Sequence, residues 1–173
     1  MRINLARHAA VVVITICLSC AAAMGSEPMT ATVMVSSGDL YDYVVVGEHS
    51  KATDGYDNAY DTISPGNLNA DMGQPFISAA IHHPDWKQAL RELRGDLRPV
   101  AKKQQWLISI RSSLAKGTPL AVSLQSQRSG LPQAVRLILR DQAEEIDLRA
   151  EDYTIPAPGP GKTVKIIVIA EQP

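Results

Sequence analysis

Trp106-Leu107-Ile108-Ser109-Ile110-Arg111, Leu120-Ala121-Val122-Ser123-Leu124-Gln125 and Val135-Arg136-Leu137-Ile138-Leu139-Arg140 share one arrangement. Every second residue is large and apolar, while the intervening positions are mixed and include Ser109, Arg111, Ser123, Gln125, Arg136 and Arg140. Successive strand side chains point to opposite faces, so a period of two sets one face toward a core and the other toward water. Gly117, the Ser129-Gly130-Leu131-Pro132 stretch and the acidic residues 141–147 separate the runs. Three strands punctuated by turns are therefore the frame around which the remaining chain is placed.

Working outward, residues 29–35 alternate in the same way and lead through the turn Ser36-Ser37-Gly38-Asp39 into residues 40–46. That second run is rich in Tyr and Val, which suits a pleated, half-buried surface. Residues 76–81 make another short strand. Ile146 and Leu148 form a short strand or corner, and residues 156–161 form a rigid turn. Residues 164–169 are apolar on both faces and so belong in the middle of a sheet. Trp86, Leu90, Leu93 and Leu97 are spaced by four, three and four, a pattern that admits one short helix or an irregular strand. Seven or eight short strands with turns between them predict an all-β fold, an antiparallel Ig-like β-sandwich. Residues 47–75 show no period and are dominated by Gly, Asp, Asn, Ser and Pro, which predicts one long loop.

The start of the chain has the layout of a secretory signal over residues 1–25. Arg2 and Arg7 precede an apolar run over residues 9–18, and small residues 19–23 close it. Cleavage after Ala23 or Gly25 leaves a single domain over residues 26–173. Lipid anchoring through Cys20 is the alternative, against which Cys17 and Ser19 stand where a lipobox carries Leu and Gly or Ala. Both cysteines fall within this segment, so the remaining domain carries no disulfide and relies on its core. Removing Arg2 and Arg7 reduces the 17 basic side chains to 15 against 18 acidic ones, a net charge of −3. That balance argues against nucleic acid and anionic membranes as main partners. No later run is apolar for long enough to span a bilayer. The expected location is secreted, periplasmic or at the cell surface.

Few residues point to chemistry. Asp54, Asp57 and Asp61, with Asn58 between them, place oxygen ligands on a short loop beside Gly55, a donor set suited to Ca²⁺. Their spacing departs from the EF-hand template. The ordinary reading is structural, with Asx-turns at the acids and Tyr56 and Tyr60 pinning the loop. His82-His83 on a strand point to opposite faces, so they read as surface histidines beside a turn. Gly159-Pro160-Gly161-Lys162-Thr163 is no phosphate-binding loop, because Pro156 stands where a Gly is needed and a strand follows. No nucleophile elbow and no thiol nucleophile is present in the domain, so no catalytic residues and no cofactor other than Ca²⁺ are expected.

Val46-Gly47, then Ala52-Thr53-Asp54-Gly55-Tyr56-Asp57 and Asp61, resembles a recurring opening in exported bacterial Ig-like β-sandwich domains that carry an A-T-D-G-[YF]-D loop. Trp106-x-Ile108-x-Ile110, the step from Leu139 to Asp141, and Ile146-Asp147-Leu148-Arg149 running into Tyr153 are similar as well. The chain departs from the pattern in its prolines, Pro65 being the only one between Asp61 and Pro75. The resemblance implies a secreted or surface module without assigned chemistry.

The expectation is a non-enzymatic structural or interaction module that meets other exported or cell-surface proteins through residues 47–75, with Tyr56 and Tyr60 as anchors. Two alternatives stand beside it. One is a subunit of an extracellular assembly, self-associating by strand addition through residues 30–35. The other is a Ca²⁺-dependent carbohydrate-binding module built on Asp54, Asp57 and Asp61.

Overall fold

The computed structural model describes residues 28–173, so the signal segment expected over residues 1–25 and Cys20 lie outside the described residues. Gly38 and Asp39 join β1 (Met29–Ser37) to β2 (Leu40–Glu48) as a two-residue loop, with Ser37 opposite Leu40. Gly38 has φ +57°, a conformation that such a hairpin demands and that glycine adopts without steric cost. β3 (Thr62–Ile63), α1 (Leu68–Asp71), β4 (Ile77–His82) and β5 (Glu92–Arg98) follow. The alternating centre of the sequence gives β6 (Lys103–Ser112), β7 (Pro119–Leu124) and β8 (Arg136–Asp141). The chain ends with β9 (Glu144–Asp147), β10 (Tyr153–Pro156) and β11 (Thr163–Glu171).

All eleven strands belong to one sheet, in the order β10-β7-β1-β2-β5-β4-β6-β11-β8-β9, with β3 on β5 beside this path. Every pairing is antiparallel except that of β2 with β5. The sheet curls until its two ends approach. β9 and β10 are consecutive in the chain, and the Tyr153 hydroxyl on β10 donates to Glu144 Oε2 on β9 at 2.7 Å. The fold is thus all-β and close to a barrel. The expected two-sheet antiparallel arrangement of seven or eight strands gives way to a single mixed sheet.

The alternating apolar positions meet inside this near-barrel. Val33, Val44, Ile81, Trp106, Ile108, Leu120, Leu137, Leu139, Ile155 and Val168 are fully buried in one core cluster. β11 lies between β6 and β8, the central position expected for it. β1 is likewise interior. β2 pairs along its whole length, and β7 pairs with Val33–Ser36 on the other edge. The segment expected to add to a neighbour's sheet, residues 30–35, therefore already has partners on both sides.

β5 is where alternation misleads. Trp86 precedes a 3₁₀ turn at Gln88–Leu90, and the strand begins only at Glu92. The β3–β5 register slips between Thr62, opposite Gly95, and Ile63, opposite Leu93. This irregularity changes the phase of β5. Leu93 aligns with buried Ile81, whereas Asp96 aligns with buried Val46. Two apolar spacings of four and three around the slip imitate a helix.

β5 also has an unusual pair of neighbours on one edge. Leu93 faces Ile81 and Ile63, while Gly95 faces Val45 and Thr62. β3 therefore takes one edge, and β4 and then β2 share the other. A wedge opens where β2 and β4 part, and backbone groups there cannot pair across it. Asp42, only 8% exposed, fills the wedge. Its Oδ2 accepts from the Ala79 amide at 2.8 Å, and its Oδ1 accepts from Arg94. Arg94 also donates to the Tyr43 carbonyl and lies 5.1 Å over the Tyr43 ring.

Two outcomes follow for stability. Asp42→Ala strands the partly buried Arg94 charge and the Ala79 amide, so urea unfolding should show a loss of about 3 kcal/mol. Gly47→Ala should cost about 1–3 kcal/mol in the same assay, because a Cβ at Gly47 sits 2.5 Å from the Met29 carbonyl oxygen.

Candidate functional site

The phase change in β5 carries polar side chains into the wall of the near-barrel. Asp96 is 3% exposed and accepts from Arg98 Nε at 3.1 Å. His83 Nε2 lies 3.1 Å from the same Asp96 oxygen, and the His83 ring stacks on Trp86 with centroids 3.8 Å apart. His83 is 8% exposed, so the expectation of a surface histidine is corrected: it is a buried partner of Asp96. Arg98 donates to the Gln105 carbonyl at 2.9 Å and lies 5.6 Å over Trp106. Among the described residues no serine, threonine or cysteine hydrogen-bonds to His83, so the pair is not extended into a nucleophilic triad.

Glu48 stands opposite Arg98 in the β2–β5 register and is 1% exposed. Gln172 Nε2 donates to its Oε2, while Oε1 has no partner among the described residues. Burial raises the Glu48 pKa above its ordinary 4.5, opposed by hydrogen bonds from Gln172 and from the Ala101 backbone. His82, on the neighbouring strand, is lowered by burial and then by Lys165.

Residues 49–61 lie against this polar end. Tyr56 packs on the core cluster and its hydroxyl donates to Asn58 Oδ1 at 3.0 Å. Tyr60 stacks on His49 at 4.6 Å. Asp57 Oδ1 accepts from the Ala59 amide at 3.0 Å, an Asx-turn. Asp61, 7% exposed, is turned inward. Its Oδ2 accepts from the Asp57 amide at 2.7 Å and its Oδ1 from the Leu97 amide at 3.1 Å. Burial raises the Asp61 pKa, and the nearby charges of Asp96 and Asp57 add to the shift against those two hydrogen bonds.

The three acids of the expected Ca²⁺ set thus serve separate roles. Asp61 ties the loop to β5, Asp57 closes its own turn, and Asp54 is exposed at the bend. No group of three or more His, Cys, Asp or Glu side chains among the described residues is placed to hold a metal ion. The tyrosines expected as anchors brace the loop.

A different surface is left for contact. The exposed large apolar side chains among the described residues are Tyr41, Ile63, Leu68 and Met72. Three of the four belong to the stretch 47–75, which also contains β3 and α1 and is therefore less irregular than its composition predicts. α1 buries none of its residues. It is held by Asn67, whose Oδ1 caps the Ala70 amide at 3.1 Å and whose Nδ2 donates to the Ile77 carbonyl at 2.8 Å. Between α1 and the β1–β2 turn lies a depression of about 300 Å³, lined by Asp39, Tyr41, Asn69 and Phe76 among others. The alternation does not mark Tyr41 as exposed, because its outward set of Tyr41, Tyr43 and Val45 is more apolar than the buried set, which contains Asp42. No helix among the described residues is long and apolar enough to cross a membrane.

Comparison with family models, curated proteins and solved structures finds no match to this chain.

The buried carboxylate makes stability depend on pH. With its pKa raised in the folded state, Glu48 binds its proton more tightly folded than unfolded, so stability declines as pH rises from 4.5 through the raised value. Glu48→Gln keeps an acceptor for Gln172 and removes the titration. Its melting temperature should fall less than that of the native chain across this window; parallel curves would show that Glu48 titrates as it does unfolded.

Proposed function

We propose that this chain is a non-enzymatic interaction module of the periplasm or cell exterior, in which a rigid near-barrel presents the segment 62–76 and the β1–β2 turn to an exported or cell-surface protein. The observation that carries the reading is the 43–71% exposure of Ile63, Leu68 and Met72 within the segment 62–76 and of Tyr41 next to the β1–β2 turn. Leu68 and Met72 are four residues apart, the spacing at which helical side chains are neighbours. Exposed apolar side chains gathered in one region mark contact surfaces more often than singly scattered ones. The buried polar groups support the same reading from the other side. Asp42, Asp96 and Asp61 are engaged with partners that hold strands and loop in place, as scaffold elements would be.

The signal-like order of residues 1–25 supports export. The opposed walls of the curled sheet bury one face each, as the layers of a sandwich do, and this keeps the resemblance to exported sandwich domains as part of the reading. Self-association by strand addition has less support. β1 is occupied on both edges, β9 is lined with Glu144, Glu145 and Asp147, and β10 ends in Pro156, features that discourage edge pairing.

A photo-reactive amino acid at position 68 should capture one discrete protein in intact cells, and the same group at exposed position 151 should not. Adduct patterns that are the same at the two positions, or absent at 68, overturn the proposal.

A further inference from the structure

We infer that the depression between the β1–β2 turn and α1 is a binding site for a neutral saccharide. Its chemistry is mixed in a specific way. The Tyr41 ring, 62% exposed, and Phe76 supply flat apolar surface. Asp39 supplies a carboxylate and Asn69 an amide, and neither side chain, nor the Tyr41 hydroxyl, hydrogen-bonds to another described residue. A purely apolar ligand would desolvate Asp39 and Asn69 without replacing their hydrogen bonds, which costs affinity. An anion would meet the Asp39 charge with no Lys or Arg in the lining to offset it. A sugar ring answers both demands: its C–H face stacks on an aromatic ring, and its hydroxyls donate to a carboxylate and exchange hydrogen bonds with an amide.

Size and rigidity agree with such a ligand. The volume, about 300 Å³, is at the lower limit of small-molecule sites and suits roughly one or two pyranose rings. The walls are set before a ligand arrives. Asn67 bonds α1 to the Ile77 carbonyl, the Gln74 amide donates to the Asn69 carbonyl at 2.8 Å, and the Phe76 amide donates to Ser113 Oγ at 2.8 Å. Groups held in place in advance lose little freedom on binding. The site is separate from Asp54, Asp57 and Asp61 and requires no cation.

The test is a titration of the ¹⁵N-labelled chain with three neutral oligosaccharides: maltotriose, cellotriose and the trimer of N-acetylglucosamine. At least one should shift the amides of residues 39–41, 67–69 and 76–77, saturating with a dissociation constant on the order of 1 mM. Asp39→Ala and Tyr41→Ala replace exposed side chains, so both variants should keep the native melting temperature, and each should weaken binding about tenfold. Leu68→Ser should retain the saccharide shifts while disturbing the α1 part of the protein contact proposed above, with which this site shares Tyr41 and the β1–β2 turn. No shift with any of the three, shifts confined to other residues, or unchanged affinity in both alanine variants overturns the assignment.

Discussion

The Asp42 carboxylate closes a gap that the backbone ladder leaves open. β5 accepts β4 and β2 in succession along one edge, and two strands cannot share an edge without parting. Where they part, Asp42 takes the Ala79 amide and Arg94, and Arg94 takes the Tyr43 carbonyl. These bonds stand in for the missing rungs. They also explain how the parallel pairing of β2 with β5 fits among the antiparallel ones. Without them the sheet would divide near this line, with β10, β7, β1 and β2 on one side and β4, β6, β11, β8 and β9 on the other. The seam lets two groups of strands, which alone would make two facing layers, continue into a single curled sheet.

That seam marks the limit of what the sequence makes legible. β6, β7 and β8 follow from alternation, and β11 from a continuous apolar run that marks a central strand. The β1–β2 hairpin follows from the same pattern plus Gly38. β5 escapes because its phase changes in mid-strand, and a period of two cannot survive such a slip. β3 and β10, two and four residues long, are too short to show a period. With β5 misread, the parallel pairing, the shared edge and the near-barrel are all out of reach, and a two-layer sandwich is the nearest architecture that the remaining strands allow.

The acidic loop shows how composition and role separate. Asp54, Asp57 and Asp61 have the right atoms for a cation, yet each is placed by a different demand. Asp61 satisfies the Leu97 amide on β5, which would otherwise face the loop without a partner, and Asp57 stabilises its own turn. Tyr56 and Tyr60 are likewise spent on holding the loop down. The residues free to act are less conspicuous in sequence. Tyr41 sits within a strand rich in Tyr and Val, and Asn69 and Asp39 look like ordinary turn residues. Only their approach across the hairpin and α1 gives them a common surface.

Polarity in this molecule is therefore divided by depth. Inside, the carboxylates of Asp42 and Asp96 are paired, Asp42 with Arg94 and Asp96 with Arg98 and the His83 ring, so removing one partner exposes the cost of the other. Glu48 departs from this order. It keeps one oxygen without a partner among the described residues at 1% exposure, and burial answers by raising its pKa toward the neutral form. At the surface, Asp39, Asn69 and the Tyr41 hydroxyl are released from structural duty because Asn67 and the backbone amides of Gln74 and Phe76 already hold the local chain. A domain that holds itself together with interior ion pairs leaves its surface polar groups uncommitted, and uncommitted polar groups beside an exposed aromatic ring are what a small, uncharged, hydroxyl-bearing ligand requires.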